Sequence, residues 1–377
     1  MSGDYLKPLS MLLDAAQQTT GLNDFGDSSF LEGANCLVGA LNTQANLNPL
    51  GVQVLEQRLV MHLEQRLRVE QWYRQYPEID DEQIVAPLIG ISLPRTGSTA
   101  LSFLLACDPS ARSLQAHESS RPADSVAADA AEQAVLASEK LPGTQQFVPK
   151  GDNPPAECQE LMALNFCSQL FLAFAQIPQY AQWLLHADLV STYEYEKRVL
   201  KLLQWRNPRA RWRLKAPTHL LYLEAVNTVF PDARFVMTHR DPARVMRSVC
   251  GLYAEYIGKL SDTLDPHYVG ALNVEQWSIG MDRTLDFRAA GHDHRFYDID
   301  FTSIQRDPVG AVRGLYAWLD EPISDEFEQN MQTWWAQNAE HRKPATYPSA
   351  SYFGLNETEV SDRFSAYTGK MRDWVGS

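Results

Sequence analysis

The hexapeptide Pro94-Arg95-Thr96-Gly97-Ser98-Thr99 gathers one cation, one glycine and three hydroxyl side chains. It follows the nearly continuous apolar run Pro87 to Leu93, which reads as a buried parallel strand. A helical stretch, Ser98 to Cys107, comes after it. A strand, a glycine turn and a helix start form a cradle of backbone N–H groups, and the helix N-terminus adds its positive dipole end. Such a cradle holds anions. It is not a Walker A loop, because no Lys precedes Ser98-Thr99.

A second anion element begins at Arg240-Asp241-Pro242, with Ser248 eight residues beyond Arg240. Asp241 as N-cap and Pro242 at the first helical position start a helix. That accounts for those two residues but not for an Arg where the chain leaves a strand. Ser248, about two turns into the helix, reaches toward the same anion as Arg240. Between the two elements, Lys215 closes the run Arg211 to Lys215.

These residues need a sheet to position them. Four short runs read as strands: Pro87 to Leu93, Arg211 to Lys215, Arg234 to His239 and Phe296 to Asp300. Helical stretches lie between them, at Tyr193 to Trp205, His219 to Phe230, Ala243 to Tyr256 and Val309 to Leu319. Alternating strands and helices imply an α/β fold, a P-loop-like parallel sheet with helices on both faces. Ligands in such sheets bind beyond the carboxyl ends of the strands, where Arg95, Lys215 and Arg240 all fall. Residues 1–85 read as a helical N-terminal extension, with Leu55, Leu59, Leu63 and Leu67 on one stripe. Residues 86–377 form the α/β domain, with a helical insertion at 261–291 and an irregular tail from His341.

Composition sharpens the reading. The 377 residues carry 33 Lys plus Arg against 47 Asp plus Glu, a net charge of −14. A chain this acidic excludes a broad nucleic-acid surface, so its cations must serve a local pocket. Five scattered cysteines without a C-x-x-C pair read as reduced thiols. With no signal peptide and no apolar run long enough to span a membrane, the expected location is cytoplasmic.

Taken together, the two elements resemble the sulfotransferase superfamily. Pro94 to Thr99 is similar to its 5′-phosphosulfate loop, and Thr238-His239-Arg240-Asp241-Pro242 through Ser248 to its 3′-phosphate element. Leu214 to His219, Phe230 to Ala233, Pro155-Ala156-Glu157-Cys158, Phe353 to Leu355 and Phe364 to Tyr367 resemble the bacterial branch. The resemblance implies 3′-phosphoadenosine 5′-phosphosulfate (PAPS) as donor and adenosine 3′,5′-bisphosphate as product. Arg95, Thr96, Gly97, Ser98 and Thr99 would hold the 5′ end, and Arg240 with Ser248 the 3′-phosphate. Relatives that carry Lys in the loop have Arg95 here, and the Trp that often follows the loop is Ala100.

The resemblance also implies in-line transfer of a sulfuryl group, with Arg95 and Lys215 neutralising charge on the bridging oxygen. Glu118 lies where the tyrosine-sulfating branch places its base; His117 and His219 are the alternatives. No metal is expected in the reaction. The acceptor would be a small hydroxyl compound, apolar or aromatic if Phe171, Phe174, Tyr180, Trp183 and Tyr256 line its pocket. A homodimer is left open. The rival readings are a nucleotide kinase or NTPase on the same loop, and a binding protein without catalysis. Hydrolase, kinase and zincin signatures each lack a residue, at Pro94, Met246 and Arg121 respectively. His292-Asp293-His294 reads as a solvated turn, and Arg206, Arg209, Arg211 and Arg213 as a solvated approach to the second strand.

Overall fold

The computed structural model describes residues 5–128, 154–205, 207, 211–338 and 346–375. Arg206 and Arg209 of the basic run lie outside them. Five strands form one parallel sheet: β1 (Leu88–Ile91), β2 (Arg112–Ser113), β3 (Trp212–Lys215), β4 (Arg234–His239) and β5 (Phe296–Asp300). Their spatial order is β2-β3-β1-β4-β5. β1 is therefore the central strand, paired with β3 on one side and β4 on the other, with Gly90 opposite Lys215 and Val236. The chain order reverses across β1, so its loop opens into the crevice between the two neighbouring strand ends.

Alternate residues of the sheet feed two cores. Leu88 and Val236 pack with Leu101, Leu104, Leu315 and Phe327 on one face. Ile89, Ile91, Phe235 and Met237 join the larger core on the other. Three N-terminal helices, α1 (Leu9–Thr20), α2 (Phe30–Gln44) and α3 (Pro49–Gln75), share that larger core. The α3 stripe is the reason: Leu55, Leu59, Leu63 and Leu67 are all buried. Each is worth about 1.5–3 kcal/mol against exposure. Asn48 caps the helix by accepting from Gly51 N, with Pro49 at its first position.

Two expectations need correcting. The sheet has a fifth strand, β2, whose two residues are Arg112 and Ser113. From Glu357 on the described tail is helical, with segments Glu357–Arg363 and Ser365–Val375 anchored by buried Val360, Phe364 and Tyr367. The expected insertion is one long helix, Pro266–Phe287. All five cysteines are free thiols. Among the described residues no helix is long and apolar enough to cross a membrane.

Candidate functional site

The loop after β1 is built to present backbone. Arg95 and Gly97 both take positive φ, 65° and 92°. Gly97 is required twice over, since a Cβ there would lie 2.9 Å from the Phe301 ring. A left-handed Arg95 costs about 1–3 kcal/mol and persists only where the surroundings enforce it. Enforcement comes from inside: Thr96, fully buried, donates to Leu93 O at 2.8 Å and lies 2.7 Å from Thr238 Oγ1. Thr238 N in turn donates to Ser92 Oγ at 2.8 Å. The Thr96 hydroxyl is thus engaged in shaping the loop. The following helix α4 (Ser98–Ala106) has no side-chain cap, which leaves its first N–H groups for an anion.

On the β4 side, three residues converge. Arg240 Nη1 donates to Arg95 O at 2.9 Å, and its guanidinium stacks over the Phe301 ring at 4.3 Å. Arg95 Nε donates to Ser248 Oγ at 3.1 Å, and Arg95 Nη2 to Tyr347 Oη at 3.1 Å. Burial, then the charges of Arg244 and Arg95, press the Arg240 pKa down. Crowded cations of this kind are relieved by a bound polyanion. Asp241 accepts from Ala243 N at 2.9 Å and Pro242 opens the helix Pro242–Leu260, which carries Ser248.

On the β3 side, Lys215 Nζ donates to Thr99 Oγ1 at 3.3 Å and to Glu157 Oε1 at 2.9 Å. Glu157 arrives through backbone pairing. Ala116 N donates to Pro154 O, Ala156 N to Leu114 O, and Cys158 N to Lys215 O at 2.9 Å. These bonds lay residues 154–158 along the ends of β2 and β3. The Lys215 side chain is buried and that of Glu157 is 36% exposed, so the carboxylate faces outward from the pair. A small cleft between α4 and the sheet is lined by Ser98, Ser102 and Lys215, among others.

The expected bases sit differently. Glu118 Oε1 pairs with Arg112 at 2.5 Å, and Glu118 Oε2 accepts from Gln115 N at 3.0 Å in a capping box. Both oxygens of this buried carboxylate therefore have structural partners. His117, beside it in the short helix Ala116–Ser120, is buried. His219 is also buried, and burial drives its pKa down to about 3. Its Nδ1 bonds to Tyr193 Oη at 2.8 Å.

A sulfotransferase family model matches residues 87–325, more than half of the chain. The chain belongs to the sulfotransferase family. It is similar to sulfotransferase STF9 from Mycobacterium avium, with a TM-score of 0.87 and 30% identity, covering 98% of this chain and 98% of that one. It is also similar to sulfotransferase STF1 from Mycobacterium tuberculosis H37Rv, with a TM-score of 0.83 and 29% identity, covering 96% and 99%. No curated protein matches.

Within this sulfotransferase the expected aromatic acceptor wall is largely core. Phe171, Phe174 and Tyr180 are buried, and Tyr180 Oη donates to Phe166 O at 2.8 Å. Trp183 donates to Glu32 at 3.0 Å, and Tyr256 packs edge-on against Phe174. His292 stacks on Phe287 at 4.1 Å. Arg211 and Arg213 both pair with Glu321. The residue that sequence reasoning passed over is Glu157. It sat in a quoted motif, but only the pairing of residues 154–158 with the strand ends brings it to Lys215.

Proposed function

We propose that this sulfotransferase moves a sulfuryl group from PAPS to a small hydroxyl acceptor, releasing adenosine 3′,5′-bisphosphate. The observation that carries the reading is the division of cations across the β1 loop. Lys215 and Thr99 stand on one side, and Arg240, Arg95 and Ser248 on the other. Two separated anion sites fit a donor with phosphate at both ends. The α4 N-terminus and loop N–H groups take its 5′ end, while Arg240 and Ser248 take the 3′-phosphate. Arg95 is turned toward Ser248, so its guanidinium would serve the nucleotide phosphates, leaving the bridging oxygen to Lys215 among the described residues.

In transfer, the acceptor oxygen forms a bond to sulfur as the bond from sulfur to the bridging oxygen breaks. The acceptor loses its proton, and the bisphosphate departs with the electron pair. Lys215 neutralises the charge growing on that oxygen. Glu157, half-buried and hydrogen-bonded to Lys215, is better disposed than Glu118 to take the proton, because Glu118 is held by Arg112 and Gln115. Positioning and charge stabilisation do the rest, as in phosphoryl transfer. The test is release of adenosine 3′,5′-bisphosphate from PAPS with a panel of phenols and alcohols. Acceptor-dependent release without added Mg²⁺ is expected; release that ignores every hydroxyl compound sinks the reading.

A further inference from the structure

Three side chains of metal-binding type meet behind Lys215, away from the anion loop. Cys158 directly follows Glu157, His219 lies four residues beyond Lys215, and Glu196 belongs to the helix Val190–Trp205. One ligand atom from each lies within 4.8 Å of the other two. All three residues are at most 1% exposed. Cys158 and Glu196 hydrogen-bond each other, while His219 Nε2 and Glu196 Oε2 have no partner. An unsatisfied buried polar atom costs about 1–3 kcal/mol, and two in one pocket with a thiol call for an occupant that serves all three.

We propose that Cys158, Glu196 and His219 bind a divalent transition metal of the zinc type. A thiolate, an imidazole and a carboxylate are a donor set that zinc accepts, with a water completing four-coordination. The second shell is in place. With the Nδ1 proton of His219 donated to Tyr193 Oη, the Nε2 lone pair is left for the metal. Charge also balances. The ion brings two positive charges, which a Cys158 thiolate and a Glu196 carboxylate offset.

The site would be structural. It joins three stretches of chain that are distant in sequence, and it holds Cys158, the neighbour of Glu157. Cys158 N already donates to Lys215 O, and Glu157 precedes Cys158. The ion would fix where Lys215 and Glu157 stand, without touching donor or acceptor.

The test uses the full chain, purified without a metal-affinity step and supplied with Zn²⁺ or Co²⁺ alone. The expected result is uptake of about one ion per chain. With Co²⁺, a sulfur-to-cobalt charge-transfer band should appear and be missing from Cys158→Ser. Tyr193→Phe removes only the outer partner and should weaken metal affinity roughly 10–100-fold with the fold intact. That variant and the wild-type cobalt spectrum decide the matter even if Cys158→Ser fails to fold. Folded wild-type protein that stays metal-free at saturating Zn²⁺ would falsify the site. A cobalt band that survives in Cys158→Ser, or an affinity unchanged in Tyr193→Phe, overturns it equally.

Discussion

Arg95 Nε donates to Ser248 Oγ across 3.1 Å, joining residues 153 positions apart in the chain. One comes from the loop after β1 and the other from the helix after β4. The two anion elements that sequence reading treated separately are thus one surface, with Arg95 as the hinge between them. Ligands that engage both elements should be favoured over ligands that engage one.

Selectivity follows directly. Adenosine 3′,5′-bisphosphate at 100 times its dissociation constant should stabilise the protein by about 2.7 kcal/mol, and AMP at the same concentration by much less. Differential scanning fluorimetry reads the difference. Equal shifts for the two nucleotides would remove the 3′-phosphate role from Arg240 and Ser248.

Arg240→Ala and Ser248→Ala should raise the KM for donor while leaving kcat nearly unchanged. The 3′-phosphate is distant from sulfur and interacts alike in ground and transition states, which is uniform binding. Steady-state kinetics at saturating acceptor separate the two parameters. A collapse of kcat at saturating donor would contradict this placement.

Lys215→Ala should show the reverse pattern, a loss of about 10²–10³ in kcat with bisphosphate affinity nearly retained. Glu157→Gln should lower kcat by about 10²–10⁴ as well, the usual range for losing a general base. Glu118→Ala should instead unfold more easily, by about 3–5 kcal/mol, because it leaves Arg112 buried without its carboxylate. Denaturant melts and kinetics on the same variants distinguish the roles. A stable, inactive Glu118→Gln beside an active Glu157→Gln would return the base to Glu118.

Acid stability should depend on Asp298. Burial alone would raise its pKa, but hydrogen bonds from His239 and Arg288 outweigh burial and hold it below the usual carboxylate value of 3.8. His239 Nε2 lies 2.7 Å from Asp298 Oδ1, and Arg288 contacts both carboxylate oxygens at 2.8 Å. A depressed carboxylate adds stability that is complete above pH 3.8 and fades as pH falls toward its folded value. Asp298→Asn should therefore be less stable than wild type at neutral pH, with the gap closing in acid. Melting temperatures across that range check it; a gap that widens on acidification contradicts the assignment.

Four strands and the turn after β1 were legible because buried parallel strands leave apolar runs and the turn needs Gly97 in a fixed place. β2 was not legible, since Arg112 and Ser113 make no apolar run and are held by pairing with Trp212 and Arg213. The tail hid its helices behind Pro, Ser and Tyr. Their start depends on Asn356 accepting from Thr358 N and Glu359 N, and their place on distant core contacts. Glu118 reads alike in sequence as a base or as a cap, and only its bonds to Arg112 and Gln115 N separate the two. Glu157 depended on an antiparallel bridge between Gln115 and Pro155 that local patterning does not encode.

The bonds among Ser92, Thr238 and Thr96 have a thermodynamic consequence. They fix the β1 loop from the strand beside it, so the conformational entropy of that loop, about 1–2 kcal/mol per residue, is lost on folding and not again on binding. An anion entering the cradle meets N–H groups already aimed and has no segment to order there. Association at this end is then limited by encounter and charge attraction, and the free energy of each new hydrogen bond goes into affinity undiminished by loop closure.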